Sequence, residues 1–244
     1  IRYGLLAMKT LGMGVISGIL KERNENGEFK NLQDFCSRSA EIGVSKVSVE
    51  YLIKSGAFDG LGANRRQMIS NYEFLMDSAS SFSKSNLEGQ MGLFSEENSP
   101  TAVDVEFKPE EEYRYADLLC FEKFATGMYI SGHPADPYKT ALKLMHIPDA
   151  LHVQSNLKEG VYSKNQVISF FGAMDDITVK YTSMGKKMGF LTLQDTSGSV
   201  ECTLFPETYA KYEKKLVYGN VLYVVGKVSS KNSYCLLYTS PSPR

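Results

Sequence analysis

Apolar residues recur at helical spacing through residues 1–82, and this pattern has two hairpin-like breaks. A short apolar helix stops at Leu11–Gly14, and a second helix resumes at residue 15 and runs through residue 20. Another helix begins at Ser48, the expected N-cap, and breaks at Ser55–Asp59. The spacing therefore predicts an all-α region with two helical hairpins.

A longer helix is expected after the second break. Asn64 and Gln67 have the spacing of a capping box at its start. An apolar stripe with helical period follows and indicates a core face: Met68, Ile69, Tyr72, Leu75, Met76 and Ala79. Arg65 and Arg66 fit two interpretations equally well at this point, a phosphate contact or a solvated helix start.

Residues 83–108 form a polar linker. From residue 83 to residue 112 there are two lysines and eight acidic residues, a net charge of −6, and so little apolar surface cannot fold alone. Its middle nevertheless carries Gln90, Met91, Gly92, Leu93 and Phe94. Apolar side chains in such a linker either fold back on a domain or bind a pocket on a partner.

A helical connector is expected over residues 109–159. Pro109 and the three glutamates after it favour a helix start. The helix should bury one face: Tyr113, Ala116, Cys120, Phe124 and Met128. His133, beside a proline, is typical of a turn, and Asp136 should begin a short helix that reaches Met145.

The pattern changes to a period of two after Gln166. Alternation predicts strands over residues 167–181, 188–193, 200–205 and 220–228, with a helix from Pro206 to Leu216. Three strands, a helix and further strands match the order of a five-stranded OB barrel, assigned to residues 160–234. The predicted fold class is therefore α+β and multidomain.

Composition narrows the function. The 244 residues carry a net charge of −1, so a nucleic-acid partner must be held by local basic patches. The four cysteines and three histidines lack the spacing of a zinc site, and the cysteines are typical of reduced thiols in a cytoplasmic protein. No apolar run approaches a membrane span of about 20 residues.

Both ends of the sequence indicate how much of a natural protein it represents. It begins at Ile1 rather than Met, which favours a piece of a longer protein. Residues 235–244 look like the translation of a sequencing adapter. The fold prediction therefore excludes these residues as no part of the natural protein, and the last strand of the barrel is expected to be truncated, with an exposed edge and low stability of the OB domain.

The first hairpin has the composition of a phosphate site. Gly12 and Gly14 allow close backbone approach, the following helix offers free N–H groups, and Lys9 and Thr10 flank the turn. A plain helical corner with glycine caps explains this pattern equally well. The second hairpin has only Gly56 at its break, so its role is either DNA contact or purely structural.

Several segments together resemble the C-terminal part of the bacterial DNA polymerase III alpha subunit. They are residues 1–9, Leu52–Asp59, Glu122–Lys123 with Ile130–Pro134, and Phe190–Asp195 with Leu204–Pro206. The resemblance covers about residues 1–234 in one order. It implies a tandem helix-hairpin-helix domain on duplex DNA, a peptide that binds the sliding clamp, and an OB domain on the single-stranded template.

The resemblance assigns roles to particular residues. Gln90, Met91, Leu93 and Phe94 match the clamp-binding peptide, and Lys9, Thr10, Gly12, Gly14 and Gly56 would contact duplex backbone. The polymerase active site, with its carboxylates and Mg²⁺, is expected upstream of this chain, as two-metal phosphoryl transfer needs clustered acids. The chain itself is expected to hold no cofactor, and the regions that bind other replicase subunits are expected to be absent.

The OB region offers candidates for single-stranded DNA. Aromatic side chains could stack on bases and lysines could follow phosphates: Lys180, Lys186, Lys187, Phe190 and Phe205, with Tyr181 and Tyr223 as further aromatics. Core packing explains each aromatic equally well. Two other classes stay open, a non-catalytic nucleic-acid-binding or repair adaptor and an OB-containing enzyme that binds tRNA.

Overall fold

The computed structural model describes residues 4–87, 105–229 and 235–239. The predicted clamp-binding pentapeptide lies outside these residues. Two compact units divide the chain at residues 130 and 131. None of the helices described is both long and apolar enough to cross a membrane.

The first unit is helical, as predicted. After a short 3₁₀ helix, the α-helices among its described residues are α1 (Met13–Asn26), α2 (Leu32–Ser39), α3 (Lys46–Ser55), α4 (Arg65–Leu87) and α5 (Tyr115–Thr126). Apolar side chains from the first four meet in one core, with Leu32, Val49, Ile53 and Met68 almost completely buried. The stripe predicted on the long helix supplies Met68, Tyr72, Leu75 and Met76 to this core.

Local signals located the start of α4 correctly and the start of α3 one turn too late. The capping box is confirmed, because the Asn64 side chain accepts the Gln67 N–H at 2.9 Å and the Gln67 side chain accepts the Asn64 N–H at 3.0 Å. The N-cap of α3, however, is Ser45 rather than Ser48. Ser48 is buried one turn later, and its hydroxyl donates to the Thr10 carbonyl at 3.2 Å.

The helix expected at Pro109 is not formed. Residues 105–114 are irregular and α5 starts only at Tyr115, after Arg114 as N-cap. The segment instead hydrogen-bonds to α4 through its backbone, which a continuous helix could not do. The predicted buried face is also wrong at Ala116, which is exposed, and at Phe124 and Met128, which are 46% and 38% exposed. The buried residues are Leu119, Glu122, Lys123 and Ala125.

The second unit is an OB barrel preceded by short helices. Its helices are α6 (Lys139–Leu144), α7 (Ala150–Lys158) and α8 (Pro206–Tyr212), and its strands are β1 (Val167–Tyr181), β2 (Lys187–Gln194), β3 (Ser199–Leu204), β4 (Val221–Val228) and β5 (Cys235–Thr239). A 3₁₀ turn over Asp136–Tyr138 precedes α6. The four predicted strands and both predicted helix starts at Asp136 and Pro206 are confirmed.

The strands close in the order β1-β2-β3-β5-β4. Neighbours run antiparallel except β3 and β5, which are parallel. The edge expected to be exposed is instead paired, because Val228 lies opposite Cys235 and Val224 lies opposite Thr239. Tyrosine and threonine in this segment favour extended backbone, and main-chain pairing needs only such a backbone.

The connector predicted over residues 109–159 is divided between the units. Helix α5 packs on α3 in the first unit. Helix α7 packs on β3 in the second, where Ala150 N–H donates to the Asp195 carboxylate at 2.8 Å and Leu151 N–H donates to Ser197 Oγ at 3.1 Å.

Candidate nucleic-acid interface

The start of α1 is an open donor site. Gly12 is the N-cap in extended backbone, no side chain caps the helix, and its first turn holds no acidic residue. A Cβ added at Gly12 or at Gly14 would meet no heavy atom within 4 Å. The free N–H groups of this turn therefore face open space, where the helix dipole favours an anion.

The two flanking residues differ in exposure. Lys9 is exposed, and its N–H donates to the Ala125 carbonyl at 3.3 Å, which fixes its backbone. The Thr10 hydroxyl is buried and has no hydrogen-bond partner in the described part of the chain. Lys9 is thus available to a phosphate beside α1, whereas Thr10 shapes the turn through its carbonyl.

The glycine of the second hairpin faces inward. Gly56 caps the C-terminus of α3 with φ +83°, a conformation that favours glycine. A Cβ there would meet the Arg65 guanidinium and the Asp59 carboxylate. Because the protein itself fills the space beside Gly56, this residue closes a turn and offers no open approach comparable to Gly12.

Arg65 is neither a solvated helix start nor a phosphate contact. It is 5% exposed, and its guanidinium donates to Asp59 at 2.9 and 2.6 Å, to Glu122 at 3.1 Å and to the Lys54 carbonyl at 3.2 Å. Burial lowers the pKa of Arg65, but its carboxylate partners outweigh this and raise the pKa overall. Arg65 joins α3, α4 and α5 as an internal ion.

A second glycine pair was missed in the sequence. Gly60–Leu61–Gly62 repeats the glycine–apolar–glycine spacing of Gly12–Met13–Gly14, two residues before α4 begins. Both of these glycines have positive φ, +91° and +87°, whereas Gly12 is extended. The glycine spacing could have been recognised in the sequence, but the backbone conformation of the glycines differs between the two turns.

The outer face of the barrel presents Phe190. Gly189, Leu191 and Leu193 are buried, so Phe190, which lies between Gly189 and Leu191 in this alternation, is directed outward and is half-buried. It pairs with Thr178 on β1 and Thr203 on β3. The Lys180 ammonium lies 5.1 Å from its ring centroid, so a cation and an aromatic ring share this face.

The remaining candidate contacts to single-stranded DNA on the barrel differ in exposure and in ion pairing. Lys186 is exposed in the turn between β1 and β2, and Phe205 is 43% exposed. Lys187 is ion-paired with Glu213 at 3.2 Å, which raises its pKa and ties it to the segment after α8. Met184, at the tip of the same turn, is 82% exposed and was not singled out in the sequence.

Tyr181 and Tyr223 lie on different strands of the barrel. Tyr181 is 68% exposed at the end of β1. Tyr223 is half-buried on β4, opposite Phe171 on β1. The Phe171 ring is itself covered by Tyr138, with centroids 4.9 Å apart, so that side of the barrel is already occupied.

The residues described contain no group of three or more His, Cys, Asp or Glu side chains that could hold a metal ion. The clustered carboxylates that metal-dependent phosphoryl transfer requires are thus not found among them. The described residues offer uncapped N–H donors at the start of α1 and a lysine beside an aromatic ring on the barrel.

Two family models match the chain. A helix-hairpin-helix motif model matches residues 1–68, and a model described as an OB-fold nucleic acid binding domain matches residues 171–234. Together with the fold, they place the chain in the class of proteins that combine a helix-hairpin-helix region with an OB-fold nucleic acid binding domain.

The curated relatives identify the family. The chain is 34% identical to the DNA polymerase III subunit alpha of Borreliella burgdorferi, over 94% of this chain and 20% of that protein. It is 32% identical to the same subunit of Bacillus subtilis and 33% identical to that of Deinococcus radiodurans, over 93% and 95% of this chain and 19% and 18% of those proteins. The chain belongs to the DNA polymerase III alpha subunit family and spans about a fifth of the length of these relatives.

Proposed function

We propose that the chain is the DNA-binding and processivity portion of a replicative DNA polymerase alpha subunit. Its helical unit binds duplex backbone, its barrel binds single-stranded template, and its acidic segment binds the sliding clamp. In this proposal the parent protein is a cytoplasmic DNA-directed DNA polymerase whose Mg²⁺-dependent site lies in another part of the subunit.

The open start of α1 carries the duplex part of the proposal. Uncapped N–H groups, two glycines with free space around them and exposed Lys9 suit a phosphate and read no base sequence. Binding of this kind depends on backbone geometry and charge, which is what a polymerase needs on the DNA it has just made.

The outer face of the barrel supports single-strand binding. Phe190 offers an aromatic surface on which a base could stack for roughly 1–3 kcal/mol. Lys180 lies over the ring, and exposed Lys186 extends the positive charge along the β1–β2 turn. This arrangement suits a strand whose bases are unpaired and whose phosphates follow the lysines.

The clamp part of the proposal rests on sequence and on how the acidic segment is attached. After the pentapeptide, the chain is fixed to the helical unit: Val105 N–H donates to the Gln33 side chain at 3.1 Å, and Val105 and Phe107 pack on its core. The pentapeptide therefore belongs to a segment whose following residues are fixed to the duplex-binding unit itself.

The energetic requirement on the pentapeptide is small. Burying Leu93 and Phe94 in a pocket contributes roughly 1.5–3 kcal/mol each, which suits affinities near micromolar. Because the hairpins and the barrel hold the same DNA, the attached peptide gains effective concentration, and joint binding can exceed either contact by ~10²–10⁴. A weak contact also permits exchange on the clamp.

Substitution at the first hairpin tests duplex binding. Gly12→Leu would fill the open space at the N–H groups, so we expect weaker duplex affinity at low salt and a shallower salt dependence. Ser17→Leu, at an exposed position of the same helix, is the matched control. Fluorescence anisotropy with a labelled duplex measures both, and equal affinities of the two variants would refute this site.

Clamp binding is tested on the whole chain by surface plasmon resonance with immobilised bacterial sliding clamp. Leu93→Ala and Phe94→Ala should each abolish detectable binding, whereas Val103→Ala, an apolar truncation in the same acidic segment, should leave it unchanged. Binding that is indifferent to both pentapeptide substitutions would show that the clamp part of the proposal is wrong.

A further inference from the structure

The helices that follow the two hairpins differ at their N-termini, because α1 has no side-chain cap and α4 is fully capped. The first turn of α1 has no side-chain cap. In α4, all four donors of the first turn have acceptors. Glu112 accepts the N–H groups of Arg65 and Arg66, and Asn64 accepts those of Gln67 and Met68 through its side chain and its carbonyl. The helix start that follows the second hairpin is therefore already occupied.

The occupant is an anion with the contacts of a bound oxyanion. Glu112 Oε2 lies 2.8 Å from Arg65 N, and Oε1 lies 3.2 Å from Arg66 N and 2.8 Å from Tyr113 N. Both carboxylate oxygens thus accept backbone N–H groups at the positive end of a helix of 23 residues. A phosphate at a helix N-terminus is held by the same donors.

Neighbouring backbone contacts hold Glu112 in this place. The Gln67 side chain donates to the Lys108 carbonyl at 2.9 Å, and the Asn64 side chain donates to the Glu110 carbonyl at 2.7 Å. The Arg66 guanidinium donates to the Glu111 carbonyl at 3.2 Å. The strap, residues 108–112, is therefore bound along its length, and its last residue delivers the carboxylate.

Arg66 also contacts the protein itself. Its guanidinium lies 4.8 Å from the Tyr113 ring centroid in addition to its bond with the strap. Arg66 and Lys9 are both exposed, but the Arg66 guanidinium is bonded to the segment that covers the second helix start.

We propose that Glu112 is an internal substitute for a DNA phosphate, which closes the second hairpin to the duplex backbone and leaves the first hairpin as the phosphate anchor of the pair. This inference rests on the proposed duplex binding by the first hairpin. Glu112 is itself exposed, so its site lies at the surface, where a duplex could reach it if the carboxylate were removed.

Removal of the carboxylate tests the proposal. In the whole chain, Glu112→Ala should expose the N–H groups of Arg65 and Arg66, raise affinity for a labelled duplex several-fold at low salt, and steepen the slope of log K against log salt by about 0.9, the value for one added phosphate. Glu111→Ala is the matched control, because it removes the same charge one residue away from an exposed position.

A combined variant separates this inference from the proposed function. If α4 has gained a phosphate site, Glu112→Ala should restore part of the duplex binding that Gly12→Leu removes. Glu112→Gln keeps the size of the side chain and covers the case in which the alanine variant does not fold. The Glu112→Gln variant should still bind duplex more tightly than the Glu111→Gln variant, because only the change at residue 112 removes the negative charge at the start of α4, where the DNA phosphate would bind.

The outcomes are distinguishable. If the unsubstituted chain binds duplex while Glu112 and Glu111 variants match in affinity and salt slope, Glu112 is only a helix cap and the inference falls, whereas duplex binding stands. If only the Glu112 variants bind duplex, the closed site is supported and the first hairpin is not the anchor. Binding by none of them overturns both.

Discussion

Glu122 offers a sharp test of what holds the helical unit together. Its side chain is 1% exposed. One oxygen lies 3.1 Å from Arg65 Nη2, and the other accepts the Ile130 N–H at 3.1 Å. We predict that Glu122→Gln destabilises this unit, because the substitution removes the charge that compensates a buried guanidinium.

The size of the effect follows from the remaining partners. Removing one member of a buried ion pair costs about 3–5 kcal/mol. The Asp59 carboxylate still accepts two hydrogen bonds from Arg65, at 2.9 and 2.6 Å, so we expect the lower end of this range, about 3 kcal/mol. For a unit of this size that corresponds to a fall of roughly 10 °C in its melting temperature.

Thermal unfolding of the whole chain, followed by far-UV circular dichroism in the helical band, measures this shift. Glu111→Gln is the control, since it makes the same chemical change at an exposed position. A double-mutant cycle adds the coupling: Arg65→Met with Glu122→Met should cost less than the sum of the single substitutions, because neither then leaves an unpaired buried charge.

A change below about 0.5 kcal/mol in Glu122→Gln would refute the reasoning, because surface substitutions commonly fall within that range. Additive single and double substitutions would refute it as well. Either result would mean that water reaches the pair and that Arg65 does not depend on Glu122.

Other predictions follow from single positions. Gly56→Ala should destabilise the helical unit in thermal unfolding, because φ is +83° and the Cβ would meet Arg65, whereas Gly12→Ala, with open space and negative φ, should not. Asn64→Ala should lower the free energy of unfolding in urea by about 1 kcal/mol through loss of the cap. Burial raises the pKa of Cys36 to about 12, so iodoacetamide at pH 8 should leave it unmodified in the native protein and modify it after denaturation, as read by mass spectrometry. Burial tends to raise the pKa of Asp149, but the hydrogen bonds from His152 outweigh burial, and the pKa is lowered overall. The stability that Asp149 adds to α7 is therefore present at neutral pH and is lost as the pH falls through this lowered pKa. Acid unfolding of Asp149→Ala should lack this component.

Much of the fold could be predicted because its signals are local. The Asn64–Gln67 capping box needs only residues three positions apart, and the strands of the barrel follow from alternation along the chain. The first hairpin was likewise recognised from Gly12 and Gly14. Each of these features is fixed by backbone preferences within one or two turns.

The site residues were harder to predict because their surroundings come from distant parts of the chain. The resemblance placed Gly56 among DNA contacts and the sequence left Arg65 open to phosphate, but in the structure both face inward, where Asp59 and Glu122 balance the guanidinium. An amphipathic pattern could not reveal this, since it assigns a buried position to apolar side chains and Glu122 is charged.

The sequence alone therefore determined the modules, their order and the glycine turn before α1, since these depend on spacing and on turn residues. Only the tertiary structure decided that the second helix start is filled. Glu112 is about 46 residues beyond Arg66 in the chain, and its carboxylate reaches those N–H groups only because the strap binds across α4. Helix donors that look free in sequence are satisfied or left open by segments that folding brings to them.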